Sequence, residues 1–143
     1  MSEQNKAVVR RLFEDHWNGR NRSLADELYA PSAILHTPDG VLRGLQGATD
    51  LFDAYTTAFP DFHLTLDDLV AEGDKVVARW TFEGTNRGSF AGIAATGKRV
   101  NVANGIAIYR VADGKVAEGN FAWDKFDLMQ QLGILPAANT AGV

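Results

Sequence analysis

The chain has no cysteine, only four prolines among 143 residues, no apolar run long enough to cross a bilayer, and no surplus of positive charge. Each absence excludes something. Without thiols there can be no disulfide, no thiolate nucleophile, no zinc ribbon and no iron–sulfur ligation. With 14 Lys+Arg against 18 Asp+Glu and a net charge of −4, there is no basic footprint for a phosphate backbone, so nucleic acid is not an expected partner. The opening residues MSEQNKAVVRR lack the apolar core of a secretory signal, and a membrane span needs about 20 apolar residues, so a soluble cytoplasmic protein without membrane contact is expected. What is present is ordinary globular composition, 45% hydrophobic and 22% charged, at the size of one domain. We expect a single domain over residues 1–135 and a flexible tail over 136–143.

Two periods divide the chain. Val8, Val9, Leu12, Phe13, His16 and Trp17 recur at helical spacing between Asn5 and Trp17, and Asn18-Gly19 ends that helix. Ser23 reads as the N-cap of a second, shorter helix carrying Leu24 and Leu28, which Pro31 follows. Ala33–Thr37 and Val41-Leu42 flank a Pro-Asp-Gly turn as a small hairpin or kinked pair. Leu51, Phe52, Tyr55, Ala58 and Phe59 give a third helix before Pro60. Beyond it the period falls to two: Phe62, Leu64, Leu66; Val76, Ala78, Trp80, Phe82; Val100, Val102, Ile106, Ile108; and Val116 to Trp123. Glu72-Gly73-Asp74-Lys75 and Ala112-Asp113-Gly114-Lys115 are hairpin turns, and Phe126 to Leu132 form a last short helix. Helices followed by long strands predict an α+β fold, with N-terminal helices on the concave face of a curved antiparallel sheet and room for a pocket between the layers.

The common catalytic signatures are absent: no dinucleotide or phosphate loop, no zinc-protease helix, no nucleophile elbow. Three scattered histidines, His16, His36 and His63, do not suggest a metal site. The candidates are polar residues set among apolar ones. Asp124 follows the final strand, and if it shares the inward parity its carboxylate enters an aromatic chamber as a general acid/base; the alternative is that it caps the helix starting at Lys125. His36 either donates a hydrogen bond to a substrate oxygen or shares a proton with Asp124, or is a structural imidazole bonded to a backbone carbonyl. Asn104 interrupts the parity of its strand, and either binds a ligand carbonyl or marks a bulge beside Gly105. Trp17, Tyr55, Phe59, Trp80, Phe82 and Phe90 either line a pocket for a flat hydrophobic molecule or are plain core.

A family pattern then emerges. Val9-Arg10-Arg11-Leu12-Phe13 with Trp17-Asn18, Ala25-Asp26-Glu27-Leu28, Ala30-Pro31, His36, Ala58-Phe59-Pro60-Asp61, Ala71 to Val76, Ala78-Arg79-Trp80-Thr81, Thr96-Gly97-Lys98, Asp113-Gly114-Lys115, Asp124 and Gln131-Leu132-Gly133 together resemble the SnoaL-like polyketide cyclases of the NTF2-like superfamily. The resemblance implies a cone-shaped fold with one hydrophobic cavity and a homodimer or higher oligomer formed through sheet faces. It also implies a cofactor-free intramolecular aldol condensation of a polyketide ester, with Asp124 as acid/base and His36 as a polar neighbour. Where many relatives read Gly-Thr-His, this chain has Gly84-Thr85-Asn86, so Asn86 is expected to contact substrate without moving a proton. The superfamily's other activities leave open a non-catalytic binding or dimerisation module, and a cofactor-free hydroxylase or epoxide hydrolase.

Overall fold

The computed structural model describes residues 2–134; the expected flexible tail lies outside the described residues. Helix α1 (Ser2–Arg11) runs without a break into a π-helical segment, Leu12–Asn18. Leu12, Phe13, His16 and Trp17 of this segment all lie on the buried side. A 3₁₀ turn (Arg22–Leu24) leads into α2 (Ala25–Leu28). Ser23 does not cap it: its hydroxyl donates to Asn21 Oδ1 at 2.8 Å instead. Strands β1 (Tyr29–Thr37) and β2 (Gly40–Arg43) form the expected hairpin, followed by α3 (Gly44–Ala58). The long strands β3 (His63–Glu72), β4 (Lys75–Thr85), β5 (Arg99–Ala112) and β6 (Lys115–Ala122) precede α4 (Lys125–Leu132), which ends at Gly133 in the left-handed region (φ 77°).

The six strands form one sheet in the order β2-β1-β6-β5-β4-β3. All pairs are antiparallel except β1 with β6, which run parallel with Ile34 opposite Glu118 and His36 opposite Asn120. The helices pack on one face, as the α+β reading predicts, and the core contains Val9, Leu12, Phe13, Leu28, Tyr29, Leu35, Phe52, Val76, Ala78 and Leu128. Burial of this apolar surface supplies the main stabilisation.

The expected parity of β5 fails halfway along. Trp80 pairs with Gly105 and Phe82 with Val102, leaving Ala103 and Asn104 opposite Thr81. Asn104, within this bulge, sits at φ 62°, a left-handed conformation that Asn tolerates. One extra residue reverses the alternation. Val100 and Val102 face inward before it; Ala107, Tyr109 and Val111 do so after it, and Ile106 and Ile108, expected inside, lie on the outer face, each 42% exposed. A second bulge interrupts β3 between Leu66 and Asp68. Arg79 joins the two on the outer face, with Nε donating to Asp68 Oδ2 at 2.7 Å and Nη1 donating to Asn104 Oδ1 at 3.2 Å.

Candidate functional site

Between the helices and the sheet lies a partly open cavity. It has about 650 Å³ of empty space counted out to its mouth. Phe13 and Trp17 come from the first helix, Leu51 and Tyr55 from α3, and Phe62 and Leu64 from the start of β3. Trp80 and Phe82 come from β4, Val102 and Tyr109 from β5, Phe121 and Trp123 from β6 and its end, and Leu128 from α4. Four features fix this wall. Phe13 sets its edge on Trp80 and on Tyr109. Trp17 stacks on Phe62 with ring centres 5.1 Å apart. Asn18 completes the edge of β3 like a short strand, its Nδ2 donating to Leu64 O and its Oδ1 accepting from Leu64 N, both at 2.8 Å. Trp80 lies so close over Gly105 that a Cβ there would come within 2.3 Å of the indole.

The expected site residues separate into two groups. Trp17, Tyr55, Trp80 and Phe82 line the cavity. Phe59 and Phe90 are buried behind it, both packed against Tyr55. Asn86 is a structural hub at 1% exposure: Nδ2 donates to Ala58 O and Gly88 O, and Oδ1 accepts from Thr96 N and the Thr96 hydroxyl. It closes the loop between β4 and β5 and has no amide group left for a substrate. Asn104 forms the bulge and faces outward, as its alternative reading held.

Asp124 requires a correction of orientation. The inward parity of the last strand belongs to Gly119, Phe121 and Trp123, so Asn120, Ala122 and Asp124 point the other way and are exposed. Asp124 is the N-cap of α4, with Oδ1 accepting from Asp127 N at 2.8 Å, and it is not part of the cavity wall. His36 also faces outward, because Leu35 takes the buried position; its Nε2 lies 3.0 Å from Glu118 Oε2, and it makes no hydrogen bond with Asp124. Arg110 Nε is 3.7 Å from the other oxygen of Glu118. His63 is exposed on β3. Among the described residues, no three His, Asp or Glu side chains are grouped so as to hold a metal ion, and no helix is long and apolar enough to cross a membrane.

Sequence reasoning missed Asp39. It occupies the Pro-Asp-Gly turn between β1 and β2, where Asx residues are common for turn geometry alone, so nothing in the sequence singled it out. In the fold its Oδ2 accepts a long hydrogen bond, 3.3 Å, from the hydroxyl of cavity-lining Tyr55, and its Oδ1 pairs with Lys125 Nζ. It also missed Phe121 and Trp123 as wall residues. Burial pushes the Tyr55 and Tyr109 phenols up, so both stay neutral and keep their protons. Behind the wall, His16 is fully buried and stacked on Phe52 with ring centres 4.6 Å apart. Its Nδ1 bonds Asn21 O at 2.8 Å, its Nε2 has no partner among the described residues, and burial pushes its pKa down.

The chain matches the SnoaL-like polyketide cyclase family model over residues 7–132, nearly its whole length. It belongs to the SnoaL-like polyketide cyclase family. Solved structures agree with the assignment of this SnoaL-like chain. A proposed SnoaL-like polyketide cyclase from Jannaschia sp. CCS1 is 25% identical with a TM-score of 0.86, over 94% of this chain and 95% of that one. AclR, a proposed hydroxylase from Streptomyces galilaeus, is 28% identical with a TM-score of 0.83, over 95% and 100%. TsrD from Streptomyces laurentii is 36% identical with a TM-score of 0.79, over 90% and 97%. No match was found among curated proteins.

Proposed function

We propose that this SnoaL-like chain closes a ring in a flat, largely apolar carbonyl substrate of polyketide type held in the aromatic cavity. The observation that carries the reading is the cavity itself: three tryptophans, two tyrosines and four phenylalanines around one opening, in a chain of this family. Aromatic walls hold planar conjugated molecules by area and by ring geometry. In the aldol form of the reaction, a C–H proton leaves the carbon between two carbonyls, that carbon bonds a ketone carbon, and the resulting alkoxide takes up a proton. Atoms and electrons balance without an oxidant or reductant, and conjugation spreads the enolate charge.

The test is turnover of an aromatic polyketide methyl ester by the full chain, beside a cavity-filling variant, Leu51→Trp. Ring closure in the parent and its loss in Leu51→Trp support the reading. Asp124→Asn belongs in the same experiment. Turnover lost with binding intact assigns proton transfer to Asp124; parental turnover removes it from the chemistry. A non-catalytic binding role has one observation in its favour, since among the described residues no carboxylate or imidazole lines the cavity, and saturable binding without product identifies it. Incorporation of labelled dioxygen identifies hydroxylation, the activity proposed for the neighbour AclR. The proposal includes a homodimer through the outer sheet face, where Val70, Val77, Ile106 and Ile108 lie exposed on adjacent strands.

A further inference from the structure

Tyr55 is the cavity-lining residue whose hydroxyl is bonded to a carboxylate. Its ring is held between Phe90 and Trp123, with centroids 5.2 and 5.9 Å away, and against the edge of Phe82, so the hydroxyl occupies a fixed place. A phenol has one hydrogen to give and two lone pairs to receive with. The hydrogen goes to Asp39 Oδ2. Asp39 in turn is held from two sides. Its backbone N–H donates to the Thr37 hydroxyl at 3.1 Å, that hydroxyl donates to Gly40 O at 2.9 Å, and Lys125 from the first turn of α4 pairs with Oδ1. An ionised carboxylate only accepts, so it cannot reverse the direction of the Tyr55 bond.

We propose that Asp39 determines specificity by committing the Tyr55 hydrogen, so that the cavity presents an acceptor oxygen and selects flat aromatic ligands bearing a phenol or enol hydroxyl. This deepens the cavity reading above and rests on it. It names a ligand class, hydroxylated planar aromatics, over the same ring systems with the hydroxyl methylated.

The experiment titrates the full chain with 2-naphthol and with 2-methoxynaphthalene, read by tryptophan fluorescence; the probes share a ring system and differ in the donor. The parent is expected to bind 2-naphthol about three- to tenfold more tightly, the worth of one net hydrogen bond. Tyr55→Phe, which keeps the ring, abolishes the difference by weakening 2-naphthol alone. Asp39→Ala frees the phenol hydrogen to face the ligand, so 2-methoxynaphthalene gains and the preference disappears or inverts. Circular dichroism verifies the fold, and Tyr55→Phe reads the same bond without touching the turn. Equal binding of both probes to the parent, or an unchanged 2-naphthol preference in Asp39→Ala, overturns the role of Asp39 and leaves the cavity reading standing. Absence of saturable binding of either probe to the parent overturns the cavity reading itself.

Discussion

Gly105→Ala tests the wall at its tightest point. The added Cβ would stand 2.3 Å from Trp80 Cε2, 2.6 Å from Cζ2 and 2.7 Å from Nε1. Carbon atoms rest at about 3.5–4.0 Å, so the indole or the strand has to move by more than about 1 Å. Neither moves freely. Trp80 is 7% exposed with Phe13 and Phe121 edge-on to it, and Gly105 is paired with Trp80 across the sheet. Overpacking of this kind costs about 1–3 kcal/mol, and a rigid indole belongs near the upper end. Replacing glycine also restricts the unfolded chain, which returns about 0.4–1 kcal/mol. The net expectation is a loss of about 2 kcal/mol and a fall of roughly 6–10 °C in Tm, measured by urea and thermal unfolding. The space open to the indole is the cavity, so aromatic ligand binding should weaken as well. Trp80→Leu supplies the control: in its presence the alanine should cost less than about 0.5 kcal/mol, giving a coupling energy of about 2 kcal/mol. An alanine variant as stable as the parent, with unchanged ligand affinity, would refute the claim that Trp80 is pinned against a bare backbone.

Asn86→Ala removes four hydrogen bonds and leaves buried loop groups unpaired; a loss of about 2–4 kcal/mol in urea unfolding is expected, with faster proteolysis within residues 87–97. His16 is held neutral by burial, so its folded pKa lies below the ordinary value of 6.5. The unfolded chain therefore binds the extra proton first. The contribution of His16 is intact above about pH 6.5 and is lost as pH falls toward the folded value, at up to about 1.4 kcal/mol per pH unit; urea midpoints at pH 5 and 7.5 should differ less in His16→Phe than in the parent. Asp124→Ala should cost about 1 kcal/mol through the lost cap of α4, whereas Asp124→Asn should leave thermal stability unchanged. Ile108→Lys should shift a dimer to monomer in light scattering, and an unchanged mass would remove the outer face from the assembly.

How much was legible in the sequence depends on where alternation holds. The helical spacing of Val9, Leu12, Phe13 and Trp17, and the alternation of Val76, Ala78, Trp80 and Phe82, mark their buried faces directly, and the structure buries them. Alternation carries no memory across a bulge. One residue at Asn104 turns Ile106 and Ile108 outward, and the register shift between β5 and β6 at Arg110 and Val111 accompanies the switch that points Trp123 inward and Asp124 outward. Polar side chains are harder still, since Asn86 and Asp39 take their roles from partners 28 and 16 residues away, a backbone oxygen and a phenol that no local pattern predicts.

Strand β5 thus serves two surfaces from one backbone. Ile106, on the outside, is the immediate neighbour of Gly105, against which Trp80 leans from within. A single peptide bond therefore separates a side chain of the convex surface from the stretch of bare backbone that seats the indole, so a substitution at either position is felt by the same short length of strand.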